Sequence, residues 1–498
     1  MNEGERTLSD WLAHGYAATR TETNGAAPGA PDDAEPPLTD RGFAQRIARE
    51  HGDVLRYCPA RGGWLSYDGT RYQPDPEPAF IATLPRAKAT ARRFLEHVLA
   101  EPALDRARLN RALYFESAAG LRHALDLARS EPGIPIPLAA LDAEPWALNT
   151  PSGIVDLTTG ALGPHEPGRM MTRITAVGYD PAAPCPKFEG FLARILDGHA
   201  ARVEHLQRVC GMATTGATEA VLPILTGRGA NGKTTLVKIL RGVLGPDYAG
   251  DTPAETLLVK RRSGGIPSDL ARLAGLRLVH AAELEGQLSE AVVKNATGGD
   301  AITAREMYSS WFEYVPQFTL LITCNRLPRI TGTDEAIWRR VHVIPFDVTI
   351  PPAEQVRDFA DQLVADEGPG ILAWMVRGAI AWRQAGRLIP PDDVLQATRT
   401  YRGEQDSLRP FLAECCVVDP TARVTVAELY AVYQTWARDS GEAILSKSEL
   451  RRALMARGLP EPMRGSKGTR MWCGLRHRTP DEPDLGPAEA APAELNLW

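Results

Sequence analysis

The sequence contains no run of apolar residues that approaches the roughly 20 needed to cross a lipid bilayer. Its first residues, MNEGERTLSDWLAHGY, are acidic and polar and lack the apolar core of a secretion signal. These two absences predict a chain that has no membrane partner and works in the cytoplasm.

Cysteine is scarce, with seven among 498 residues and none at C-x-x-C spacing. A zinc site or a redox motif would need such spacing, so neither is indicated. The neighbours Cys415 and Cys416 cannot easily bind one metal together. We therefore expect reduced thiols in the cores of a cytosolic protein.

The chain also lacks net positive charge, with 56 Lys and Arg against 62 Asp and Glu, a formal net charge of −6. Any contact with nucleic acid must therefore come from a local basic surface. No repeat of fixed period is present. With 44% hydrophobic residues over this length, the sequence predicts a soluble protein of about three domains that can bury a sizeable core.

A glycine-rich stretch, GRGANGKT, lies between a strand-like run, LPILTG, and an amphipathic helical run, TTLVKILRGVLG. It matches the phosphate-loop pattern G-x-x-x-x-G-K-[ST] with Gly227, Gly232, Lys233 and Thr234. Glycines let successive backbone N–H groups point at phosphate oxygens, and the helix N-terminus adds partial positive charge. We expect Lys233 to reach the terminal phosphates and the Thr234 hydroxyl to complete a Mg²⁺ shell. The stretch therefore predicts a site for ATP with Mg²⁺.

The phosphate-loop pattern alone does not separate kinases, GTPases, transporters and motors. The residues that we expect to hold the nucleotide are Gly227, Arg228, Gly229, Ala230, Asn231, Gly232, Lys233, Thr234 and Thr235.

Two acids, Glu283 and Glu285, end the next strand-like run, LRLVHAAELEG. A strand beside the phosphate-loop strand would bring a carboxylate to the metal, where it could polarise the attacking water. We favour Glu283 as catalytic acid and metal ligand because it is nearer the apolar run. Spacing alone leaves Glu285 open, and two ordinary surface acids would have the same pattern.

Two further polar signals flank later strand-like runs. Asn325 ends FTLLITCN, where an amide could orient the hydrolytic water or sense the γ-phosphate, although Asn also commonly starts a turn. Arg339 and Arg340 precede the run VHVIPF. An arginine supplied in trans stabilises transition-state charge in phosphoryl transfer, but a pair of surface arginines would read the same way.

In this order, the four signals resemble a superfamily 3 helicase, and more narrowly the phage, plasmid and poxvirus-type primase–helicase family. The stretches that carry the resemblance are GRGANGKTT, AAELEGQLSEAVVKNATGGDAITAREMY, PQFTLLITCNRLPRITGTDEAIWRRVHVIPF and GPGILAWMVRGAIAW, and the similarity covers roughly 38–387. It implies an AAA+-like α/β ATPase that forms a hexameric ring around DNA, with ATP between subunits.

By this resemblance, Glu283 falls on the Walker B acid and Asn325 on the sensor asparagine. Arg339 or Arg340 falls on the arginine finger, which would serve the neighbouring subunit's ATP. The acids are split here as E-L-E, whereas some viral members have adjacent acids, so which glutamate is catalytic stays open.

The resemblance also implies a hairpin that projects into the ring channel, between the Walker B strand and the sensor strand. Lys294 and Arg305 could hold phosphates there, and Tyr308 and Trp311 could stack on bases. Packing of the two aromatics onto their own domain is an equal alternative.

Composition and periodicity predict a multidomain α/β chain with a helical N-terminal domain and a C-terminal winged-helix domain, and the resemblance implies that its P-loop core is an AAA+-like ATPase. The predicted segments are a disordered tail (1–37), a mostly helical N-terminal domain (38–145), a β-rich connector (146–195), the superfamily 3 ATPase core (196–350), a helical lid (351–392), a winged-helix-like domain (393–480) and a second disordered tail (481–498).

The sequence is thus interpreted as an ATP-dependent DNA helicase for replication of a phage, prophage or plasmid, acting on single-stranded and forked DNA as a homohexamer. A primase domain has no room ahead of the helical block, so we expect a separate primase or polymerase. The alternatives are a bifunctional primase–helicase, an AAA+ switch or loader without unwinding, and, least favoured, a P-loop kinase. The basic stretch RGSKGTRMWCGLRHR favours DNA over protein as the partner of the winged helix.

Overall fold

The structure is a computed structural model that describes most of the chain. The described residues are 35–77, 80–259, 268–305, 311–330, 335–406, 408–442, 444–464 and 468–478. Most of the first predicted tail, all of the second, and Tyr308 lie outside them. Described residues up to Ser66 and Pro74–Leu138 form one compact unit, and Tyr67–Gln73 with the residues from Ala139 onward form another.

The first unit is mostly helical. Its elements are the helices α1 (Asp40–His51), α2 (Thr83–Leu99), α3 (Arg106–Phe115) and α4 (Ala118–Ala128) and the strands β1 (Leu55–Cys58) and β2 (Gly63–Tyr67), which pair antiparallel. The Thr39 side chain caps α1 by accepting a hydrogen bond from the Gly42 N–H at 3.1 Å. The rings of Phe43 and Phe115 stack at 4.2 Å between centroids in the core of this unit.

The second unit begins with short strands. They are β3 (Tyr72–Pro74), β4 (Ala147–Thr150), β5 (Gly153–Asp156) and β6 (Ala161–Gly163). The last three form an antiparallel sheet in the order β4-β5-β6. Between β4 and β5, the Thr150 hydroxyl donates to the Gly153 carbonyl at 2.8 Å and fixes the turn.

A five-stranded parallel sheet forms the centre of the second unit. The strands of this part are β7 (Leu222–Thr226), β8 (Ala249–Asp251), β9 (Leu278–Ala282), β10 (Ile302–Arg305), β11 (Trp311–Tyr314), β12 (Thr319–Cys324) and β13 (Val341–Pro345). The sheet has the order β13-β7-β12-β9-β8, while β10 and β11 form a separate antiparallel pair. Its inner strands are buried along nearly their whole length, as strands covered on both faces are.

Helices surround this sheet. They are α5 (Pro186–Ile195), α6 (Ala200–Met212), α7 (Lys233–Leu244), α8 (Ala254–Leu257), α9 (Ser268–Ala271), α10 (Glu290–Thr297), α11 (Glu335–Trp338), α12 (Phe359–Ala385) and α13 (Asp392–Gln405). The large core cluster contains residues of α5, α6, α7 and α12 together with inward-facing residues of the sheet. The second unit is therefore an α/β domain with a parallel sheet at its centre.

Helices α6 and α12 approach each other backbone to backbone at two glycines. A Cβ atom on Gly211 would lie 2.1 Å from the Ala379 amide nitrogen, and a Cβ on Gly378 would lie 2.1 Å from the Gln207 carbonyl oxygen. Real Cβ atoms do not come this close to the backbone, so only glycine fits at either position.

The last described part of the chain has its own core. Its elements are α14 (Leu408–Cys415), β14 (Cys416–Thr425), α15 (Val426–Asp439), α16 (Lys447–Ala456), β15 (Met463–Arg464) and β16 (Arg470–His477). The strands form an antiparallel sheet in the order β14-β16-β15. Capping boxes start both α15, at Thr425, and α16, at Ser446.

Strand β14 stands between α14 and α15. The strand's pairing with β16 shifts register between Val418 and Arg423. Asp419 and Pro420 lie in this irregular stretch and break the alternation that would have marked a strand in the sequence.

Within the described ranges, no helix combines the length and the hydropathy that a membrane span needs.

Candidate active site

The predicted phosphate loop connects β7 to α7 at the carboxyl edge of the parallel sheet, the edge where open α/β sheets bind ligands. The backbone has positive φ at Gly227 (153°), Ala230 (59°) and Gly232 (85°). A Cβ on Gly227 would lie 2.2 Å from the Phe346 carbonyl oxygen. A Cβ on Gly232 would lie 2.5 Å from the Ile195 side chain. The glycines of the pattern are therefore required by the shape of the loop itself.

Lys233 is the first residue of α7 and is only 5% exposed. Its Nζ donates to the Gly227 carbonyl at 2.7 Å, to Asn231 Oδ1 at 3.0 Å and to Asn325 Oδ1 at 3.3 Å. Burial lowers the pKa of Lys233, and the nearby Cys324 and Glu283 oppose that shift. The ammonium group is held inside the loop by three oxygen atoms that phosphate oxygens could replace.

Asn231 braces the loop from within. Its Nδ2 donates to the Phe346 carbonyl at 3.2 Å while its Oδ1 accepts from Lys233. The Ala230 carbonyl accepts from the Ile350 N–H at 2.7 Å on the same side. The chain that follows β13 thus supports the loop, a contribution from Phe346 and Ile350 that no local sequence signal indicates.

Glu283 and Asn325 meet beside Lys233. Asn325 Nδ2 donates to Glu283 Oε1 at 3.2 Å, and the Glu283 N–H donates to the Thr323 carbonyl at 2.9 Å. Glu283 adopts a left-handed backbone conformation with φ of 51°, which turns the chain as it leaves β9. Among the described residues, no hydrogen bond joins Glu285 to this group, and its side chain is exposed. Hydrogen bonds therefore connect Glu283, and not Glu285, to Asn325 and through Asn325 to Lys233.

The remaining predicted loop residues lie at the open side of the loop. Arg228, Gly229 and Thr234 are exposed, and Thr235 is partly buried. Thr234 offers a hydroxyl at the start of α7 and Glu283 offers a carboxylate oxygen, and oxygen donors of these kinds would suit Mg²⁺.

Arg339 and Arg340 lie at the opposite edge of the sheet. They follow α11 and precede β13, and the Arg340 carbonyl accepts from the Leu222 N–H at 2.6 Å. Leu222 begins β7, four residues before its carboxyl end, a separation of about 13 Å along a strand. The structure therefore does not bring either arginine to Lys233 of the same chain.

The predicted DNA contacts are placed only in part. Lys294 lies in α10 with Nζ 3.8 Å from Glu290 Oε2. Arg305 and Trp311 form the last backbone pair of the β10–β11 ladder. Tyr308, and the side chains of Arg305 and Trp311, lie outside what the structure describes. An antiparallel pair of strands is thus present where the resemblance implies a hairpin.

Gly227→Ala is expected to lower nucleotide affinity at least about tenfold, or roughly 1.4 kcal/mol, because the added Cβ would displace Phe346 from the loop. Gly190→Ala is the matched control, since Gly190 lies on α5, outside the loop, and its Cβ meets no atom of the described residues within 4 Å. Titration of both variants with a fluorescent ATP analogue measures the difference. Equal affinities would contradict the steric argument.

Two sequence families match the chain. The family described as "D5 N terminal like" matches residues 44–197, and a family of unknown function, DUF5906, matches residues 225–340. The second match begins at the end of β7 and ends just before β13, so it contains the whole group around Lys233 as well as both arginines.

Curated viral proteins are similar to between half and three fifths of the chain. "Putative helicase 022R" of Frog virus 3 (isolate Goorha) is 29% identical over 272 residues, covering 51% of this chain and 28% of the relative. "Putative helicase L207/L206" of Acanthamoeba polyphaga mimivirus is 28% identical over 329 residues, covering 61% and 34%. "Putative primase C962R" of African swine fever virus (strain Badajoz 1971 Vero-adapted) is 24% identical over 326 residues, covering 60% and 34%. The similar region thus amounts to about a third of these relatives' length.

Among solved structures, the apo structure of the NrS-1 C-terminal region matches 88% of this chain and 100% of its own, with 11% identity and a TM-score of 0.48. Values this low support no argument about function. The two family matches and the viral relatives agree with one another, and over these residues the chain is similar to D5-like viral proteins named as helicases and primases.

Proposed function

We propose that this chain is an ATP-hydrolysing DNA helicase that serves the replication of a phage, prophage or plasmid. The observation that carries the proposal is the group formed by Lys233, Asn325 and Glu283 at the mouth of the phosphate loop. These side chains supply a cation for phosphate oxygens, an amide for a water or the γ-phosphate, and a carboxylate for the attacking water. The names of the viral relatives, helicase and primase, agree with this chemistry.

The proposal includes an AAA+-like ring. A parallel sheet with the phosphate loop at its carboxyl edge and two arginines at its amino edge supports it, because a second copy is then needed to bring an arginine to the nucleotide. ATP would lie between subunits of a homohexamer, and Mg²⁺ bound with it would neutralise phosphate charge.

Of the two arginines, we propose Arg339 as the finger. Arg340 is partly buried, and its Nη1 donates to the Ala336 carbonyl at 2.6 Å, which ties it to the end of its own helix. Arg339 is exposed. A guanidinium that must reach a neighbouring subunit is better served by the exposed side chain.

The C-terminal domain is proposed to be a winged helix that contacts DNA. Two observations support this: the order helix, strand, helix, helix, strand, strand, and a local excess of positive charge. Residues 408–478 contain twelve Lys or Arg against seven Asp or Glu, in a chain whose overall charge is negative. Such a local surface is what phosphate contact requires.

The expected result with the purified chain is displacement of the labelled strand of a forked duplex when ATP is present, and none with a non-hydrolysable analogue. A blunt duplex of the same sequence is the control, because a ring that grips one strand needs a single-stranded arm. Primers would come from a separate primase or polymerase.

Other outcomes of this assay would replace the proposal. Hydrolysis without displacement would identify a switch or loader. Ribonucleotide incorporation on a single-stranded template would identify a primase–helicase. Absence of hydrolysis with and without DNA would contradict an ATPase of any kind.

A further inference from the structure

Three polar side chains form a hydrogen-bonded chain across three strands of the parallel sheet. His280 Nδ1 lies 3.0 Å from Asp251 Oδ1, and His280 Nε2 lies 2.9 Å from Thr323 Oγ1. The residues lie on β8, β9 and β12, three neighbouring strands. We call them the Asp251–His280–Thr323 chain. None of them belongs to the phosphate loop or to the predicted site.

The partners determine how the hydrogen atoms are arranged. A carboxylate only accepts, so Nδ1 of His280 carries a hydrogen and donates to Asp251. Burial lowers the pKa of His280, which favours the neutral ring, so Nε2 accepts from the Thr323 hydroxyl. Both polar ends of the imidazole are therefore satisfied, and the direction of the Thr323 hydroxyl is fixed.

The chain ends at the active site. The Thr323 carbonyl accepts from the Glu283 N–H at 2.9 Å, and Asn325 lies two residues after Thr323. The backbone of Thr323 is thus hydrogen-bonded to Glu283, and a single residue separates Thr323 from Asn325. Any shift of Thr323 along β12 would move both groups relative to Lys233.

The other end of the chain is anchored to the phosphate-loop helix. Arg241 Nη1 lies 2.6 Å from Asp251 Oδ2, and Arg241 is on α7, eight residues after Lys233. Asp251 therefore joins α7 to the histidine, and the histidine joins Asp251 to β12. The phosphate loop and the sensor strand share one anchor.

A purely structural role explains this arrangement less well. Buried parallel strands are normally filled by Val, Ile and Leu, and burying an imidazole and a hydroxyl is unfavourable unless both are paired. A nucleophilic role for the Thr323 hydroxyl is excluded by its 5% exposure. The arrangement is better explained if it controls the positions of Glu283 and Asn325, which follow the carboxyl ends of β9 and β12.

We propose that His280 is a positioning residue for ATP hydrolysis, which, through Thr323, sets the distance of Asn325 and Glu283 from Lys233. The inference rests on the proposed ATPase function. Because His280 is not proposed to contact the nucleotide, its substitution is expected to lower kcat and not nucleotide affinity.

The test compares Thr323→Val with Thr319→Val in the full-length chain. Both threonines are buried on β12, but among the described residues the Thr319 hydroxyl has no hydrogen-bond partner. Thr323→Val is expected to lower kcat about tenfold, which is the lower end of the losses seen when a group that orients a reacting residue is removed. The KM and the affinity for a fluorescent ATP analogue are expected to change less than about threefold. Thr319→Val is expected to leave kcat unchanged, and Thr323→Ser to restore most of it.

Two histidine variants test the direction of the chain. The Oε1 of Gln in His280→Gln can still accept from Thr323, whereas the Nδ2 of Asn in His280→Asn can only replace the bond to Asp251. We expect the glutamine variant to keep more of kcat than the asparagine variant. Thr323→Val added to His280→Asn is expected to lower kcat by less than the product of the two single effects.

The outcomes separate the two proposals. Hydrolysis by the unaltered chain with equal kcat for Thr323→Val and Thr319→Val would overturn the role of His280 and leave the ATPase intact. The role would also be overturned if the loss of kcat in Thr323→Val were explained by an equal loss of nucleotide affinity, or by an equal loss of folded protein in thermal unfolding. No hydrolysis by the unaltered chain would overturn the proposed function itself.

Discussion

Arg339→Ala is expected to lower ATP turnover by about 10³-fold or more while nucleotide binding persists, because an arginine finger acts on transition-state charge. The guanidinium lies at the edge of the sheet away from Lys233, so its own subunit's nucleotide does not lose a contact. Steady-state hydrolysis with saturating single-stranded DNA gives kcat, and titration with a fluorescent ATP analogue gives affinity. Arg340→Ala, whose side chain is tied to Ala336, is the comparison and is expected to lose much less.

Mixing tests whether the arginine acts in trans. Arg339→Ala and Lys233→Ala subunits are each inactive alone, but a mixed ring contains interfaces that pair an intact phosphate loop with an intact arginine. We expect activity to return in the mixture, with a maximum near equal proportions. The ring arrangement would be contradicted if the mixture were as inactive as its components. It would also be contradicted if Arg339→Ala were monomeric and kept full turnover.

Lys233→Ala is expected to reduce hydrolysis at least about a hundredfold, comparable to the loss of one transition-state donor in a preorganised site. The substitution removes the cation that Gly227, Asn231 and Asn325 hold in place for phosphate oxygens. The oxygen atoms left without Lys233 can accept hydrogen bonds from water in the space that its side chain vacates, so the chain is expected to stay folded.

The control for this variant is Lys238→Ala, which removes an exposed lysine from the same helix, α7. Circular dichroism and thermal unfolding check the fold, and phosphate release measures turnover. Unfolding of Lys233→Ala would weaken the assignment of the site, and unchanged turnover would refute it.

The conformation of the predicted phosphate loop follows largely from local residues, while its binding of phosphate remains a prediction. Positive φ at Gly227 and Gly232 requires glycine, and both glycines are visible in the sequence. The order of strand, loop and helix follows from residues that are neighbours in the chain. The choice of Glu283 over Glu285, argued from its distance to the apolar run, remains a prediction, and the hydrogen bond to Asn325 supports it.

Contacts between distant parts of the chain could not be predicted in this way. The Asp251–His280–Thr323 chain joins strands that are 29 and 43 residues apart in sequence, and a single histidine inside an apolar run gives no sign of its partners. The same holds for the Phe346 carbonyl that braces Asn231. Such pairings depend on strand order, which local periodicity does not specify.

The glycine contact between α6 and α12 restricts how the helical layer can move. Because the backbones touch at Gly211 and Gly378, α12 cannot rotate about its axis or slide along α6 without a collision or a void. We therefore expect the two helices to move together as one rigid unit. The segment predicted as a lid would then not hinge at its start. The link after α12 is held as well, because the Leu388 N–H donates to the Glu219 carboxylate at 2.8 Å and the next helix, α13, belongs to the same core through Val394. Any movement begun at the nucleotide is therefore expected to carry α6, α12 and α13 together.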